Sequence, residues 1–422
     1  MILRIKSIIE SLSITVWQIT DTIRESAELF YIRKDEDLRR SKLVRDLNVI
    51  VYRDFEADGV KMRGSSSVVV FPQMTDDEIA EKLSCAYENA KYVKNPYFEL
   101  ADPIQDHVEN SDTDGVSLME KAEIMADALF MPDTEDIAFI NSAEIFATSF
   151  SVHILSSRGV DVSYSSYRIK GEFVVQATEP EDVEMYHDFE YTTLDTFAIS
   201  GLSMDALSIV RDRAYAGEAP KAGAYDLILT KKHVYTILTA YLEKADAAMI
   251  YAKYSPYQEG MNVQGDEISG EKLNITLIPD EPFSPDGVKM PKRVLICNGM
   301  LSSIHGNTRF CRYLGIEPRG SYSSMLVENG SEAFESMKAK PYLMPVAFSD
   351  FQMDPLRGRF AGEIRLAYLF DGERIHLVTG GSVSGSLLDK QKELIFSKER
   401  YTDYQYDGPL AVRIPSVTVA GE

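Results

Sequence analysis

The sequence predicts an α+β protein with mixed, mainly antiparallel sheets and flanking helices, in which an N-terminal α/β layer precedes a larger β-rich C-terminal domain. Runs of β-branched and aromatic residues with alternating polarity recur along all 422 residues, which indicates many strands. Several runs flank an Asp-Gly or Asn-Gly step, and these dipeptides suit the tight turn of a β-hairpin. Fewer segments show helical spacing, and some of these begin with a capping box.

The N-terminal segment begins with a helix and continues as an antiparallel sheet. Apolar residues from Ile2 to Val16 recur at helical spacing, which predicts an amphipathic first helix. Strands are predicted at 28–33, 47–55 and 60–71, and the Asp58-Gly59 step joins the last two as a hairpin. A capping box at Thr75 and Glu78 then predicts a second helix.

A polar stretch from Lys94 to Gly115 predicts a linker that completes an N-terminal α+β domain, residues 1–115. Asn110, Asp112, Asp114 and Gly115 imitate the first half of a calcium loop, but Lys121 stands where such a loop needs a bidentate glutamate. A second capping box, Ser117 to Glu120, favours a helix start for these acids instead.

A central strand-rich segment is predicted for residues 116–221. Its strands lie between 137 and 195 and turn at Arg158-Gly159. A helix capped by Ser203 follows, and residues 217–224 mark a boundary because they are rich in Gly, Pro and Ala.

The C-terminal domain is predicted for residues 222–422. Its expected elements are a strand at 225–229, a helix at 231–254, a strand at 273–283, and hairpins at Asn298-Gly299, Asn329-Gly330 and Asp371-Gly372. A glycine-rich turn, Gly380–Gly385, precedes a helix-like stretch at 387–395 and a last strand.

Composition limits the class of partner. With 44 basic and 66 acidic residues the net charge is −22, which would repel a phosphate backbone, so no nucleic-acid partner is expected. Three cysteines are too few for a disulfide framework, and no apolar run is long enough to cross a bilayer. We expect a cytoplasmic protein with no membrane partner.

The C-terminal run from Phe360 to Glu422, a hairpin, a glycine-rich turn, a helix-like stretch and a final strand, resembles the closing third of the TldD/TldE (PmbA) family. This family has long been labelled as modulators of DNA gyrase and is understood as zinc metallopeptidases. The strand and turn pattern of residues 156–177 resembles its middle segment. The resemblance covers about 25–220 moderately and about 225–422 more closely.

The zinc motif of the family is missing from this chain. In the TldD branch, the helix after the first C-terminal strand carries H-E-x-x-x-H, and a later cysteine completes the zinc site. Here the same place, residues 233–252, offers His233 as its only imidazole, and no cysteine follows Tyr401. None of the six histidines are spaced to share a helical face. We therefore expect no metal site and no catalytic residue in this chain, and the peptide-binding residues are unknown.

This loss resembles the TldE (PmbA) branch, which lacks H-E-x-x-x-H and pairs with TldD. The resemblance implies a zinc-less subunit that forms a peptide-degradation chamber with a TldD-like zinc subunit, the zinc being held only by that partner. Unfolded or short peptides would be the substrates, and a homodimer is expected when the chain is made alone.

Two alternatives stay open at the level of sequence. One is a stand-alone hydrolase with a different metal or nucleophile site. Its candidate residues are the histidines His187, His233, His305 and His376, the acid Asp188 beside His187, the serines Ser382, Ser384 and Ser386, and Cys297. The other is a peptide-binding module without peptidase activity, for which Tyr251, Tyr254 and Tyr257 could grip a peptide.

Overall fold

The computed structural model describes residues 1–109 and 115–421. Its helices are α1 Ile2–Ser11, α2 Asp76–Ala90, α3 Leu118–Phe130, α4 Thr196–Ala214, α5 Lys232–Lys244, α6 Ala247–Tyr251, α7 Thr308–Tyr313, α8 Phe334–Met337 and α9 Leu387–Lys390. Its strands are β1 Val16–Ile32, β2 Asp35–Ala57, β3 Val60–Val70, β4 Ile104–Val108, β5 Ala138–Ser156, β6 Val160–Ala177, β7 Val183–Tyr191, β8 Gly223–Thr230, β9 Ile275–Ile278, β10 Arg293–Cys297, β11 Met300–Leu301, β12 Ser324–Val327, β13 Tyr342–Asp354, β14 Arg359–Phe370, β15 Ile375–Val378, β16 Ser382–Ser386, β17 Ile395–Phe396, β18 Arg400–Thr402, β19 Tyr406–Pro409 and β20 Ala411–Ala420.

The first sheet contains the long N-terminal and central strands in the order β3-β2-β1-β5-β6-β4, with β7 also paired to β6. β1 pairs antiparallel with β2 and with β5 along almost its whole length. Helices α1 and α2 cover one end of this sheet over Ile19, Leu47 and Val49. Helices α3 and α4 cover the other end over Leu29 and Phe173, so each end has its own apolar core.

The C-terminal residues form two further sheets. One has the order β11-β10-β9-β12-β19-β18. In the other, pairing runs β13-β8-β20-β16-β14 and returns to β13, and we call this closed set of strands the C-terminal ring. One large core joins ring residues such as Leu227, Phe360 and Ile414 to the apolar face of α5.

The predicted fold class is confirmed, and several local predictions are confirmed with it. Both capping boxes form, with Thr75 and Ser117 as the N-caps of α2 and α3. The Asp58-Gly59 and Asn298-Gly299 steps both lie at turns with positive φ between paired strands. These motifs succeed because each depends only on the backbone preferences of two to four neighbouring residues.

Two local predictions are wrong. Ser203 does not cap a helix: α4 begins after Asp195, whose carboxylate accepts a hydrogen bond from the Ala198 amide, and Ser203 is buried inside the helix. Asn329-Gly330 does not form a hairpin, because β12 pairs with β9 and β19 while the chain after Gly330 leads to α8.

Other elements differ in length from the prediction. Val16 begins β1 instead of extending the first helix, and the helix expected at 231–254 is interrupted where the side chain of Asp246 caps α6. The strand expected at 273–283 is confined to β9, and the helix at 387–395 is the single turn α9. Each of these segments is apolar enough for a longer element, but its tertiary neighbours interrupt it.

Because β1 pairs with β5, residues on both sides of the predicted boundary at 115 share the first sheet. The division into three segments stays a prediction. Residues 110–114, which hold most of the calcium-like pattern, lie outside the described residues.

Within the described ranges, no helix has the length and apolar character needed to cross a membrane.

Candidate functional site

Helix α5 covers most of the segment, residues 233–252, in which the resemblance described above led us to look for a zinc motif. It follows β8 directly, after a positive φ at Lys231, and packs its apolar face into the large C-terminal core. The buried side chains of α5 are His233, Val234, Ile237, Leu238, Ala240, Tyr241, Leu242 and Lys244. Most of this face therefore packs against the core. Its two polar side chains, His233 and Lys244, lie near the two ends of the helix and are the groups that could take part in chemistry.

His233 is enclosed by aromatic rings. Only 8% of the residue is exposed, and the ring centroids of Phe348 and Phe351 lie 4.9 and 5.3 Å from the imidazole, both edge-on. Its Nδ1 has no hydrogen-bond partner among the described residues. Burial lowers the pKa of His233 to about 3, so the ring is neutral at physiological pH.

Lys244 places an ammonium group at the other end of α5. The residue is 5% exposed, and its Nζ donates a hydrogen bond to the Leu356 carbonyl at 3.2 Å. Burial lowers the pKa of Lys244, and the charge of Asp354 opposes that shift. A lysine ammonium has no lone pair for a metal and repels a second cation.

The residues of α5 do not fit zinc. A tetrahedral site needs three or four nitrogen, sulfur or carboxylate ligands that converge on one point. Besides the enclosed His233, α5 offers the ligand-type side chain of Glu243, which is exposed and lies ten residues further along the helix. Across residues 1–109 and 115–421, no group of three or more His, Cys, Asp or Glu side chains could hold a metal ion.

The other predicted histidines lie in separate environments. His305 is buried beside α5, where its Nε2 lies 2.9 Å from the Leu242 carbonyl oxygen. His376 is bound through Nε2 to Asp371 at 2.8 Å. His187 stacks on Phe173, and burial lowers its pKa to about 4.

The expected acid partner of His187 is engaged elsewhere. Asp188 pairs with Lys232 at 3.3 Å. Consecutive residues on a strand point to opposite faces, so Asp188 does not orient the imidazole of His187.

One histidine pair was missed by the sequence analysis. His107 on β4 and His153 on β5 lie with ring centroids 6.2 Å apart, because both flank Ser163 of β6. His107 Nδ1 lies 2.8 Å from the Ser163 hydroxyl, and His153 Nε2 lies 2.8 Å from an Asp161 carboxylate oxygen. Only the pairing of strands distant in sequence brings these groups together.

The predicted serines line the C-terminal ring without an imidazole partner. Gly380 and Gly381 form a positive-φ turn, and Ser382–Ser386 is the strand β16. Ser386 accepts a hydrogen bond from the Asp389 amide as the N-cap of α9. Among the described residues, no hydrogen bond joins these serines to a histidine, so nothing in their surroundings activates a nucleophile.

The remaining candidates have structural surroundings. Cys297 is an exposed thiol at the end of β10, beside Asn298. Tyr257 is buried in the C-terminal core, whereas Tyr251 packs on Phe310 and Tyr313.

An open groove lies beside the end of α5. It has a volume of about 480 Å³ and is lined by Met353 and Asp354 of β13, Phe360 and Ala361 of β14, and Ser384 to Ser386 of β16. The turn from Asp354 to Gly358 connects the groove to Lys244, which binds the Leu356 carbonyl in that turn. The groove combines apolar, hydroxyl and carboxylate surface.

Comparison with known proteins places the C-terminal half in a family. Residues 222–421 match the family described as the PmbA/TldA metallopeptidase C-terminal domain. A search of curated proteins finds no significant match.

Solved structures share the fold over the whole chain. A modulator of a DNA gyrase from Thermotoga maritima has a TM-score of 0.77 and 15% identity, covering 99% of this chain and 98% of that chain. TldE from Thermococcus kodakarensis has a TM-score of 0.77 and 15% identity, covering 99% of this chain and 100% of that chain. A modulator of DNA gyrase from Bacteroides thetaiotaomicron has a TM-score of 0.76 and 14% identity, covering 100% of this chain and 98% of that chain.

The similarity to these structures establishes the fold, and the matched C-terminal domain establishes the relationship. Residues 222–421 therefore belong to the PmbA/TldD family as its C-terminal domain.

Proposed function

We propose that this chain is the zinc-less, TldE-like subunit of a two-subunit peptidase. A TldD-like partner would hold the zinc, and the two subunits would enclose a chamber in which unfolded or short peptides are cleaved. The observation that carries the proposal is the composition of α5. Its one imidazole is enclosed by Phe348 and Phe351, and a buried lysine lies at its C-terminal end.

The charge at the end of α5 supports a non-catalytic role for this helix. An active metallopeptidase needs a water molecule on an open coordination position of the metal. Lys244 Nζ instead binds the Leu356 carbonyl, and this bond fixes the turn beside the groove. We infer that α5 has a structural task in this chain, which is to shape one wall of the chamber.

The groove beside Lys244 is our candidate for holding the peptide. Met353 and Ala361 supply apolar surface, whereas Ser384 and Asp354 supply hydrogen-bonding groups. Such a mixture accepts many side chains, which suits a peptidase that must degrade varied sequences.

The central experiment measures bound metal and peptide cleavage by the purified chain, alone and mixed with a TldD-like zinc subunit. We expect no stoichiometric metal and no cleavage from the chain alone, and a gain in cleavage on mixing. A zinc subunit whose motif glutamate is replaced by glutamine is the control, and it should leave the mixture inactive. Stoichiometric zinc, or cleavage by the chain alone, would contradict the proposal.

A pair of exposed serines tests the groove. Ser384→Phe would fill it, whereas Ser302→Phe adds the same bulk at an exposed position outside it. We expect the first substitution to raise the KM of the mixture for peptides and the second to leave it unchanged. Equal effects would show that the groove does not hold the peptide.

We also propose a cytoplasmic location and a homodimer for the chain made alone. Sedimentation velocity of the purified chain tests the second point, and a single monomer boundary at micromolar concentration would contradict it.

A further inference from the structure

A second cavity lies between the first sheet and the C-terminal domain, separate from the groove beside α5. Its volume is about 180 Å³. Gln18, Tyr52 and Ser156 line it from the first sheet, and Asp286, Thr308 and Arg309 line it from the C-terminal side. Junctions between structural units of this kind are common places for small-molecule sites.

Two opposite charges face this cavity without an ionic partner. Neither Asp286 nor Arg309 forms an ion pair with any described residue, and the two do not pair with each other within 4.0 Å. Asp286 Oδ2 accepts a hydrogen bond from the Thr308 amide at 3.0 Å, and Arg309 Nη1 donates one to Asn95 Oδ1 at 3.1 Å. Charged groups with such incomplete partners can still bind a ligand of complementary charge.

The neighbouring arginine on the same helix shows the contrast. Arg312 pairs with Asp102 at 2.8 Å and with Glu317 at 3.3 Å. The guanidinium of Arg312 therefore has carboxylate partners within the chain, whereas that of Arg309 has an amide oxygen and the ring of Phe310, 4.6 Å away, but no carboxylate.

A buried hydroxyl group also lacks a partner at this place. Thr308 is 3% exposed, and its Oγ1 has no hydrogen-bond partner among the described residues. Leaving a buried hydroxyl without a partner destabilises a protein, so such groups are rare unless a water molecule or ligand satisfies them. The Tyr52 residue in the same cavity is also buried, and that burial raises its pKa, so it stays a neutral phenol.

We propose that this cavity binds a small zwitterion, an α-amino acid. Its carboxylate would accept hydrogen bonds from Arg309 and the Thr308 hydroxyl, and its ammonium group would donate to Asp286. A cavity of about 180 Å³ has room for a small amino acid. The site does not depend on the peptidase role proposed above, because none of its residues belongs to α5 or to the groove.

The test measures binding of L-alanine and L-serine to the full chain by calorimetry and by the shift in thermal unfolding. Propionate, which lacks the amine, and ethylamine, which lacks the carboxylate, are the matched analogues. We expect saturable binding of the amino acids and at least about tenfold weaker binding of both analogues. Propionate or ethylamine binding as tightly as alanine would overturn the proposal, and so would an absence of amino-acid binding.

Variants connect the binding to the named residues. Arg309→Gln, Asp286→Asn and Thr308→Val should each weaken alanine binding by about tenfold or more. Arg312→Gln is the control, since its partners lie outside the cavity, and it should bind like the original chain. Thr308→Val keeps the shape of the side chain and removes an unsatisfied hydroxyl, so it should fold at least as stably. Unchanged alanine affinity in these three variants would also overturn the proposal.

Discussion

The strands of the first sheet and those of the C-terminal ring are stabilised by different interactions. The middle of the first sheet is polar, and Arg24 and Glu25 of β1 are exposed there. Ion pairs such as Arg24 with Asp46 cross between its strands. In the C-terminal ring, Phe360 and Ile414 are at most 1% exposed, and pairing closes on itself. The ring is stabilised mainly by burial, whereas the middle of the first sheet depends on backbone hydrogen bonds and cross-strand pairs.

This difference predicts that the two regions differ in their tolerance of substitutions. A polar strand between long partners can carry many charges, because its backbone bonds are satisfied by the neighbouring strands. A ring strand must place apolar side chains of the right volume against α5 and the opposite strands. We therefore expect substitutions of the same chemical type to cost more in the ring than in the middle of the first sheet.

The largest contrast should come from two phenylalanines. Phe360→Ala removes a side chain that is 1% exposed in the ring core, and we expect a loss of about 3–5 kcal/mol in the free energy of unfolding. Phe150→Ala removes a half-buried ring from the middle of the first sheet and should cost about 1–2 kcal/mol. Urea unfolding followed by circular dichroism measures both. Equal losses would contradict the comparison.

Two arginines give the next contrast. Arg413 on β20 is 8% exposed and donates to Asp226 at 2.8 Å, to the Pro341 carbonyl at 3.0 Å and to the Met337 carbonyl. Arg413→Gln should cost about 2–3 kcal/mol, because a carboxylate and two carbonyl groups, one of them buried, lose a charged donor. Arg24→Gln breaks an exposed ion pair with Asp46 and should cost less than about 1 kcal/mol. The same urea titration measures the free energy of unfolding of both variants. A larger loss for Arg24→Gln than for Arg413→Gln would contradict the expected order.

Buried histidines should make stability depend on pH. The pKa of His233 is lowered to about 3 in the folded chain, whereas an unfolded histidine titrates near 6.5. As the pH falls below about 6.5, the imidazole of His233 binds a proton in the unfolded state but not in the folded state. The free energy of unfolding therefore falls. His233 alone should remove about 1.6 kcal/mol between pH 6.5 and 5.

The substitution His233→Leu should abolish that part of the pH dependence. His187→Leu in the first sheet is the comparison. Because burial lowers the pKa of His187 to about 4, this substitution should remove nearly as much of the pH dependence above pH 5, and the two histidines should differ only near pH 4 and below. Urea unfolding at pH 6.5 and at pH 5 measures both slopes. An unchanged slope in His233→Leu would show that this histidine titrates normally in the folded chain.

The smallest contrast should come from two turn glycines. Gly59 has a positive φ of 75°, and an added Cβ would meet no atom within 4 Å, so Gly59→Ala should cost about 1 kcal/mol from backbone strain alone. Gly299 has a φ of 80°, and an added Cβ would lie 3.0 Å from Gln264 Oε1. Gly299→Ala should therefore cost about 2 kcal/mol, because steric contact adds to the strain. Thermal unfolding separates the two, and a larger shift for Gly59 would contradict this account.

The polar strands were also the hardest to predict from sequence. The pattern located parts of β1 and β2 at 28–33 and 47–55. It missed the first half of β1, Val16–Ala27, whose end is polar, and the charged half of β2, Asp35–Asp46. Those halves are strands because β2 and β5 flank β1 on both sides. No local preference of residues such as Arg24 or Glu25 signals this, since charged residues are equally common in loops.

The candidate site shows the same division. The chain itself reveals that α5 lacks the histidines of the zinc motif, because residue identities and spacing are local. It does not reveal that Phe348 and Phe351 enclose His233, or that Lys244 reaches the Leu356 carbonyl. The cavity lined by Tyr52, Asp286 and Arg309 could not be predicted from the sequence either, because its walls come from residues more than 200 positions apart.

The sequence by itself determined the α+β class, the capping boxes, the tightest turns and the absence of a family zinc motif. These features depend on neighbouring residues or on composition, and short-range sterics and hydrogen bonds decide them. The tertiary structure alone decided the closure of the C-terminal ring, in which Leu227 of β8 pairs with Leu343 of β13. It also decided which polar groups lack partners, because satisfaction of a buried group depends on every chain segment that packs against it.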